Sequence, residues 1–438
     1  MGKSSIIYVM GLTLIIGLAL NTIGHNSLKS VDAYTAYYAT TQVHNIAVSG
    51  ANIGTNYLLN GGGAPPNFGV TFFGGTDSVS YLTDVPEPLW VTMRSVSVTN
   101  MADKDGNAFR DTVEGVFKHV QFAKFSWFTE SEVNGYIDKN GNHGPYYGAA
   151  DWKITGDSVW GPAHTNNHFN LDGTPYFHDK ITASLAATLG PTAHPVYNGG
   201  FQWGIQKKRP NTSSLEAKLT AAAGWFYDGN TNGGNDVGMT FLNENVRVQA
   251  PPLGGGMDTT MPITTLAPNG VMVVKNADLR LKGVYSGSLT VAAFSGTGAT
   301  ANKGNIWIDG DIVANVNPVN NPDSPDMLGI IAGRMAYITE NNSRSSSSQL
   351  NIQAAVYCQN GELTAENFWT IPVSGRVNLF GGVTQISAGS LGLFSPGPPL
   401  HFLHGFAYNI HNDPRFETRQ PPNFPYSDSY ELVSWWEN

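Results

Sequence analysis

The chain has 438 residues, one cysteine, 13% charged residues and a formal charge of −9. Low charge together with 11% aromatic residues favours burial over disorder. The lone Cys358 excludes a disulfide scaffold, and the absence of a basic run beyond Lys207-Lys208-Arg209 speaks against nucleic acid as a partner.

Lys3 is followed by an uncharged stretch in which Ile6, Ile7, Val9, Leu12, Leu14, Ile15, Ile16, Leu18 and Leu20 carry the apolar surface. Extended through Ile23, it reaches the roughly 17–20 residues needed to cross a bilayer. Lys3 on its N-terminal side favours keeping that end in the cytoplasm and exporting the rest. A cleaved signal peptide is the alternative, but no Ala-x-Ala site follows Leu20. Residues 26–60 contain no proline, and Leu28, Val31, Tyr34, Tyr38, Val43, Ile46, Ile53 and Tyr57 recur at roughly helical spacing. Gly61-Gly62-Gly63 and Pro65-Pro66 then supply a stop. The pattern predicts one helix over 1–60, apolar over 6–23 and amphipathic beyond, acting as a membrane-spanning and assembly segment.

A helix that starts in a membrane and ends against a β-rich head resembles type IV pilins and pilin-like proteins. The run Gln42 to Asn52 (QVHNIAVSGAN) is similar to the PilX-like minor-pilin N-terminus. The resemblance implies processing by a prepilin peptidase after Gly2, leaving Lys3 first. The glutamate that the family carries at the fifth mature position is Ile7 here.

From residue 67 the period changes to two. Asn67 to Tyr81, Leu89 to Asn100 and Val113 to Phe128 alternate apolar and polar residues, the pattern of half-buried strands. Asp103-Lys104-Asp105-Gly106-Asn107 and Asp138-Lys139-Asn140-Gly141-Asn142 read as two hairpin turns of one design. Residues 61–150 are therefore expected to form a β-rich domain. Residues 151–438 are expected to form a β-helix-like head, in which short strands alternate with Gly/Asn corners at 152–182, 304–312, 350–364 and 375–383. A short helix is predicted over 213–225, with Glu216 in its first turn, and Gly/Asn/Pro-rich loops at 228–236 and 251–270. The fold class is mainly β with one long N-terminal α-helix, the head being a β-solenoid or a stacked-sheet sandwich. Trp160 to Asn166 (WGPAHTN), Gly173 to Phe177 (GTPYF) and the ending from Gly405 through Trp436 resemble an uncharacterised family of β-rich bacterial surface proteins with PilX-like N-termini. That resemblance implies an envelope role and no reaction.

Three patterns carry potential chemistry. His164 and His168 stand four apart with His178 and Asp179 following, but Gly161-Pro162 argues against the helix that would bring two imidazoles onto one zinc. Hydrogen bonds from His164 and Asn166 to backbone at a corner are the plainer expectation. Asp103, Asp105, Asn107, Asp111 and Glu114 occupy calcium-ligand positions of a twelve-residue loop, with Ala108 and Arg110 where such a loop carries glycine and an apolar residue. A plain turn with surface acids competes with calcium there. Trp127, Trp152, Trp160 and Trp307 lie in alternating strands and are expected in the core, and Trp435 and Trp436 are expected to pack a final strand onto the head.

The sequence reads as a non-enzymatic structural subunit of a pilus-like cell-surface filament. It has no cofactor unless calcium, and it assembles with copies of itself or with related subunits from an inner-membrane state. The alternatives are an exported or membrane-anchored carbohydrate-binding or carbohydrate-cleaving β-helix protein, marked by a groove with stacked aromatics and two close carboxylates, and a calcium-dependent adhesin.

Overall fold

The structure is a computed structural model that describes residues 2–61, 65–83, 90–207, 214–231, 236–250, 257–340, 345–395 and 401–437. It is mainly β with one long N-terminal helix, the class the sequence predicts. The chain divides into two compact units, 1–120 with 428–438, and 121–427. The boundary expected near residue 150 lies inside the second unit.

In the first unit the helix α1 (Gly2–Gly61) runs unbroken for 60 residues, roughly 90 Å at 1.5 Å per residue. It packs against an antiparallel sheet of β1 (Phe68–Phe72), β2 (Gly75–Thr83), β3 (Trp90–Ala102), β4 (Ala108–Gln121) and the C-terminal strand Tyr426–Glu437, in that order. The sheet forms because its strands alternate: β3 buries Val91, Met93, Ser95 and Ser97 towards the helix while Thr92, Arg94 and Val96 face away. The β3–β4 turn is the one expected. Asp103 Oδ1 accepts the backbone N–H groups of Asp105 and Asn107, and Gly106 takes the positive φ of 84°. Asp138 does the same for Asn140 and Asn142, with Gly141 at φ 90°. Two five-residue segments that differ only at Asp105 and Asn140 thus build one turn twice.

The second unit is a solenoid of parallel strands. One column of pairings runs Trp225–Asp228, Val271–Lys275, Ser288–Phe294, Met327–Ala332, Gln349–Cys358, Val373–Ser387, β5 (Trp127–Ser131), Ala163–Thr165, Ile181–Ala183 and Phe201–Trp203. Spatial order is not chain order. The chain joins the stack in its middle at β5, climbs to one end at Phe201–Trp203, resumes at the other end at Trp225, and winds back until Val383 stands beside Trp127. Both parts share one core. Met272, Val291, Ile330, Val356, Val383, Trp127, Ala163 and Ile181 stack in register, each buried. Burying each such side chain contributes about 1.5–3 kcal/mol, so the column specifies the splice: the large Trp127 fills the rung between Val383 and the small Ala163.

Between the two ends lies α2 (Leu215–Ala222), the helix expected near 213–225, which buries Leu215 and Leu219. The stretch 251–270, expected as a loop, holds the strand Met257–Pro262 and a turn of helix at Ile263–Leu266. That strand closes an antiparallel excursion with Asn245–Ala250, which burial of Val246 and Val248 on one face explains.

Candidate functional site: the two halves of the N-terminal helix

Every side chain from Ser5 through Thr35 is exposed. The predicted assembly residues follow that rule: Ile6, Ile7, Val9, Leu12, Leu14, Ile15, Ile16, Leu18 and Leu20 are all exposed, Ile7 to 71%. Gly2 and Lys3 lie in the first turn of the helix, and their side chains fall outside the described residues. An 18-residue window of this half has a mean hydropathy of 2.1 and none of it is buried, so the helix is long and apolar enough to cross a membrane. Polar groups in it turn inward on the helix itself: Thr13 Oγ1 donates to the Val9 carbonyl at 2.9 Å, and Thr22 Oγ1 to that of Leu18 at 2.9 Å. Self-satisfied hydroxyls suit a helix surrounded by apolar groups, where an unpaired hydroxyl is costly.

The second half is built for the opposite task. Ala39, Val43, Ile46, Ala47, Gly50, Ala51, Gly54 and Leu58 are buried, each with another of the set three or four residues away, forming one stripe. Gly50 and Gly54 lie on the same stripe and allow close approach: a Cβ on Gly54 would meet Met93 Sδ at 2.7 Å and a Val79 methyl at 2.9 Å. The sheet also reaches into the helix by hydrogen bonds. Ser97 Oγ donates to the Val43 carbonyl at 2.7 Å, and Ser95 Oγ lies 2.8 Å from the Ala47 carbonyl. Asp77 stands beside Ser95 at 2.9 Å, and burial pushes its carboxyl above the ordinary range. His44 on the flank pairs with Asp111 Oδ2 at 2.8 Å and lies 3.5 Å from Glu437 Oε2. The sheet therefore fixes α1 from Ala39 onwards and leaves the apolar half free.

The structure does not gather the five calcium candidates. Asp103, Asp105 and Asn107 form the self-bonded turn, Asp111 faces His44, and Glu114 lies 4.0 Å from Arg94. Among the described residues no group of three or more His, Cys, Asp or Glu side chains has the geometry to hold a metal ion. His164 is likewise turned inward, to Thr182 Oγ1 at 2.7 Å and Asn166 Oδ1 at 2.9 Å, and burial lowers its imidazole to about 4. Asn166 donates to the Lys207 carbonyl and accepts its N–H, the backbone bracing expected of it, whereas the two ring nitrogens of His164 meet side chains rather than the backbone expected. Trp127 and Trp307 are buried as expected; Trp152 is half-buried and Trp160 is 40% exposed. Trp160 is no sugar platform, because its ring is stacked between His178 and His411 on neighbouring coils. Trp436 is exposed, whereas Trp435 packs on the first unit's core.

Sequence reasoning missed a polar cluster inside the solenoid. Glu132, Lys153, Asp151, Asp157 and Glu362 are all buried. Lys153 Nζ lies 2.5 Å from Asp151 Oδ2, 3.7 Å from Glu132 Oε2, and 3.9 Å from the Trp127 ring centroid. Glu132 Oε1 accepts from Trp127 Nε1 at 3.0 Å and from Thr129 Oγ1, while Oε2 accepts no hydrogen bond. Burial raises the Glu132 carboxyl despite the nearby ammonium. Burial depresses Lys153, but the facing carboxylates of Asp151 and Glu132 outweigh it and the ammonium is held. Asp157, holding the Ile154 N–H at 2.8 Å, is raised by burial to about 7. The adjoining cavity, lined by Asp151, Asp157, Ser390 and Tyr408, measures about 70 Å³, well below the ~300–1,000 Å³ of ligand sites. No signal in the sequence marks this cluster, because residues 132, 153 and 362 meet only through coil stacking.

No protein-family model matches the sequence, and no curated protein matches it. Among solved structures the chain is similar to the competence-associated pilin ComZ from Thermus thermophilus, at 12% identity over 91% of this chain and 98% of that one, with a TM-score of 0.39.

Proposed function

We propose that this chain is a structural subunit of a pilus-like filament on the cell surface. The observation that carries the reading is the division of α1: an apolar half exposed on every side from Ser5 to Thr35, continuous with a half locked into a β-sheet from Ala39. Exposed apolar area of that extent demands a cover. Before assembly the cover is the lipid of the inner membrane, which a span of about 20 residues crosses. In the filament it is the same helix of neighbouring subunits, this chain or related ones, packed as a central bundle that excludes water. The β-rich units then face outward, and Gly2-Lys3 is the site at which a leader is removed. The role is mechanical rather than catalytic.

The test is immunogold electron microscopy of material sheared from cells, with mass spectrometry of the N-terminus of the labelled chain. Labelled filaments containing the chain with residues 6–23 intact support the reading. A soluble chain beginning beyond about residue 25, in the range where a signal peptide would be removed, overturns it.

A further inference from the structure

We propose that the solenoid carries an internal covalent cross-link, an amide between Nζ of Lys153 and Cδ of Glu132, formed spontaneously in the folded chain. The proposal is independent of the filament reading. The three groups such a reaction needs are already in place: an amine, a carboxyl electrophile and a proton acceptor, all buried. Lys153 and Glu132 side chains are 2% and 1% exposed, and Nζ stands 3.7 Å from Glu132 Oε2. The residues come from different segments, Glu132 just after β5 and Lys153 at the end of the two-residue strand Trp152–Lys153.

The two oxygens of Glu132 are not equivalent. Oε1 is held by two donors, Trp127 Nε1 and Thr129 Oγ1, which polarise the carbonyl and would stabilise the oxyanion of a tetrahedral intermediate. Oε2 accepts no hydrogen bond and faces the amine, the position of a leaving hydroxyl. Asp151 Oδ2 touches Nζ, while its Oδ1 is fixed by the Ser390 hydroxyl at 2.8 Å. The sequence of events follows from those contacts. Asp151 relays a proton from the Lys153 ammonium to Oε2 of Glu132, and the neutral amine attacks Cδ of the acid so formed. A new C–N bond forms and the Cδ–Oε2 bond breaks. Asp151 takes a proton from the nitrogen and passes it to Oε2, which leaves as water. The ammonium and the Glu132 carboxylate become an amide and one water, and Asp151 returns to its carboxylate, so atoms and charge balance. The Trp127 and Tyr408 rings, 3.9 Å and 5.3 Å from Nζ, wall the site against hydrolysis. A fixed geometry of this kind replaces an encounter in solution, which is how an unactivated carboxyl can acylate an amine without a co-reactant. The product ties the strand by which the chain joins the solenoid to the segment that follows it.

Tryptic mapping of the purified, denatured full chain decides the matter. The sequence places cleavage sites after Lys124, Lys139, Lys153 and Lys180. The amide predicts peptide 125–139 joined to peptide 140–180, uncut at Lys153, one water lighter than the two together. Recovery of free 125–139 and 140–153 in stoichiometric yield overturns the proposal. So does a water lost within 140–180 with 125–139 unattached, which would place the bond between Lys153 and Asp151. In Asp151→Asn, which keeps the packing volume, the cross-linked fraction falls at least tenfold. An unchanged fraction would remove Asp151 from the reaction, and because the native chain is mapped first, a variant that fails to fold does not spoil the test.

Discussion

A Cβ placed on Gly50 would lie 1.8 Å from Oδ2 of Asp77. The helix and the sheet of the first unit therefore meet at a distance that only glycine permits, and the Asp77–Ser95 pair fills the space a side chain would take. Gly50→Ala gains helix propensity but forces this buried pair apart, and a net loss of about 1–3 kcal/mol is expected for the first unit. Chemical denaturation followed by the fluorescence of Trp90 and Trp435 measures it, with Gly24→Ala as the control, since nothing lies within 4 Å of a Cβ there.

Leu14→Arg places a charge in the middle of the free apolar half. Insertion of such a residue costs about 2.5–3.5 kcal/mol at the bilayer centre, so the variant should move from the membrane fraction to the soluble one and leave surface filaments without the chain. The melting of the β-rich units should not change, because Leu14 is exposed. Quantitative blotting of membrane, soluble and sheared fractions reads both halves of the expectation.

Arg415 is buried and donates to Asp413 through Nε and Nη2 and to the carbonyls of Ser324 and Asp326 through Nη1. Arg415→Met leaves the buried Asp413 without its guanidinium partner. A loss of about 3–5 kcal/mol is expected, read as a lower urea midpoint for the second unit. Arg415→Lys, which cannot reproduce the fork, should fall between the two.

His164 supplies a pH dependence. Burial lowers its folded value from 6.5 to about 4. The unfolded chain therefore takes up the proton first as pH falls. The stability that the neutral imidazole contributes is present above about pH 6.5, declines from there to pH 4, and is then fully lost; the shift corresponds to at most about 3–4 kcal/mol. The difference in unfolding free energy between wild type and His164→Gln, measured across that range, should show this slope.

Much of the first unit is legible in the sequence because its signals are local. The helix end at Gly61, the alternation of β3 and the Asp103 turn each depend on residues a few positions apart, as does the matching Asp138 turn of the second unit. α2 is legible for the same reason. The solenoid's order is not, since nothing near Trp127 says that Val383 will be its neighbour. The placement of Trp160 at the surface has the same origin: alternation shows that it faces away from Val159 but not which side is the core. The Glu132–Lys153–Asp151 cluster was hidden because burial of charge follows from stacking, not from sequence spacing.

The central claim is that the free half of α1 is covered by the helices of other subunits in a filament. A photo-crosslinking amino acid at Leu14, activated in filaments sheared from cells, tests it most directly. Adducts between this position and the N-terminal helix of another copy or a related subunit are the expected result. Adducts to lipid alone, with no protein partner in the sheared material, would contradict the account.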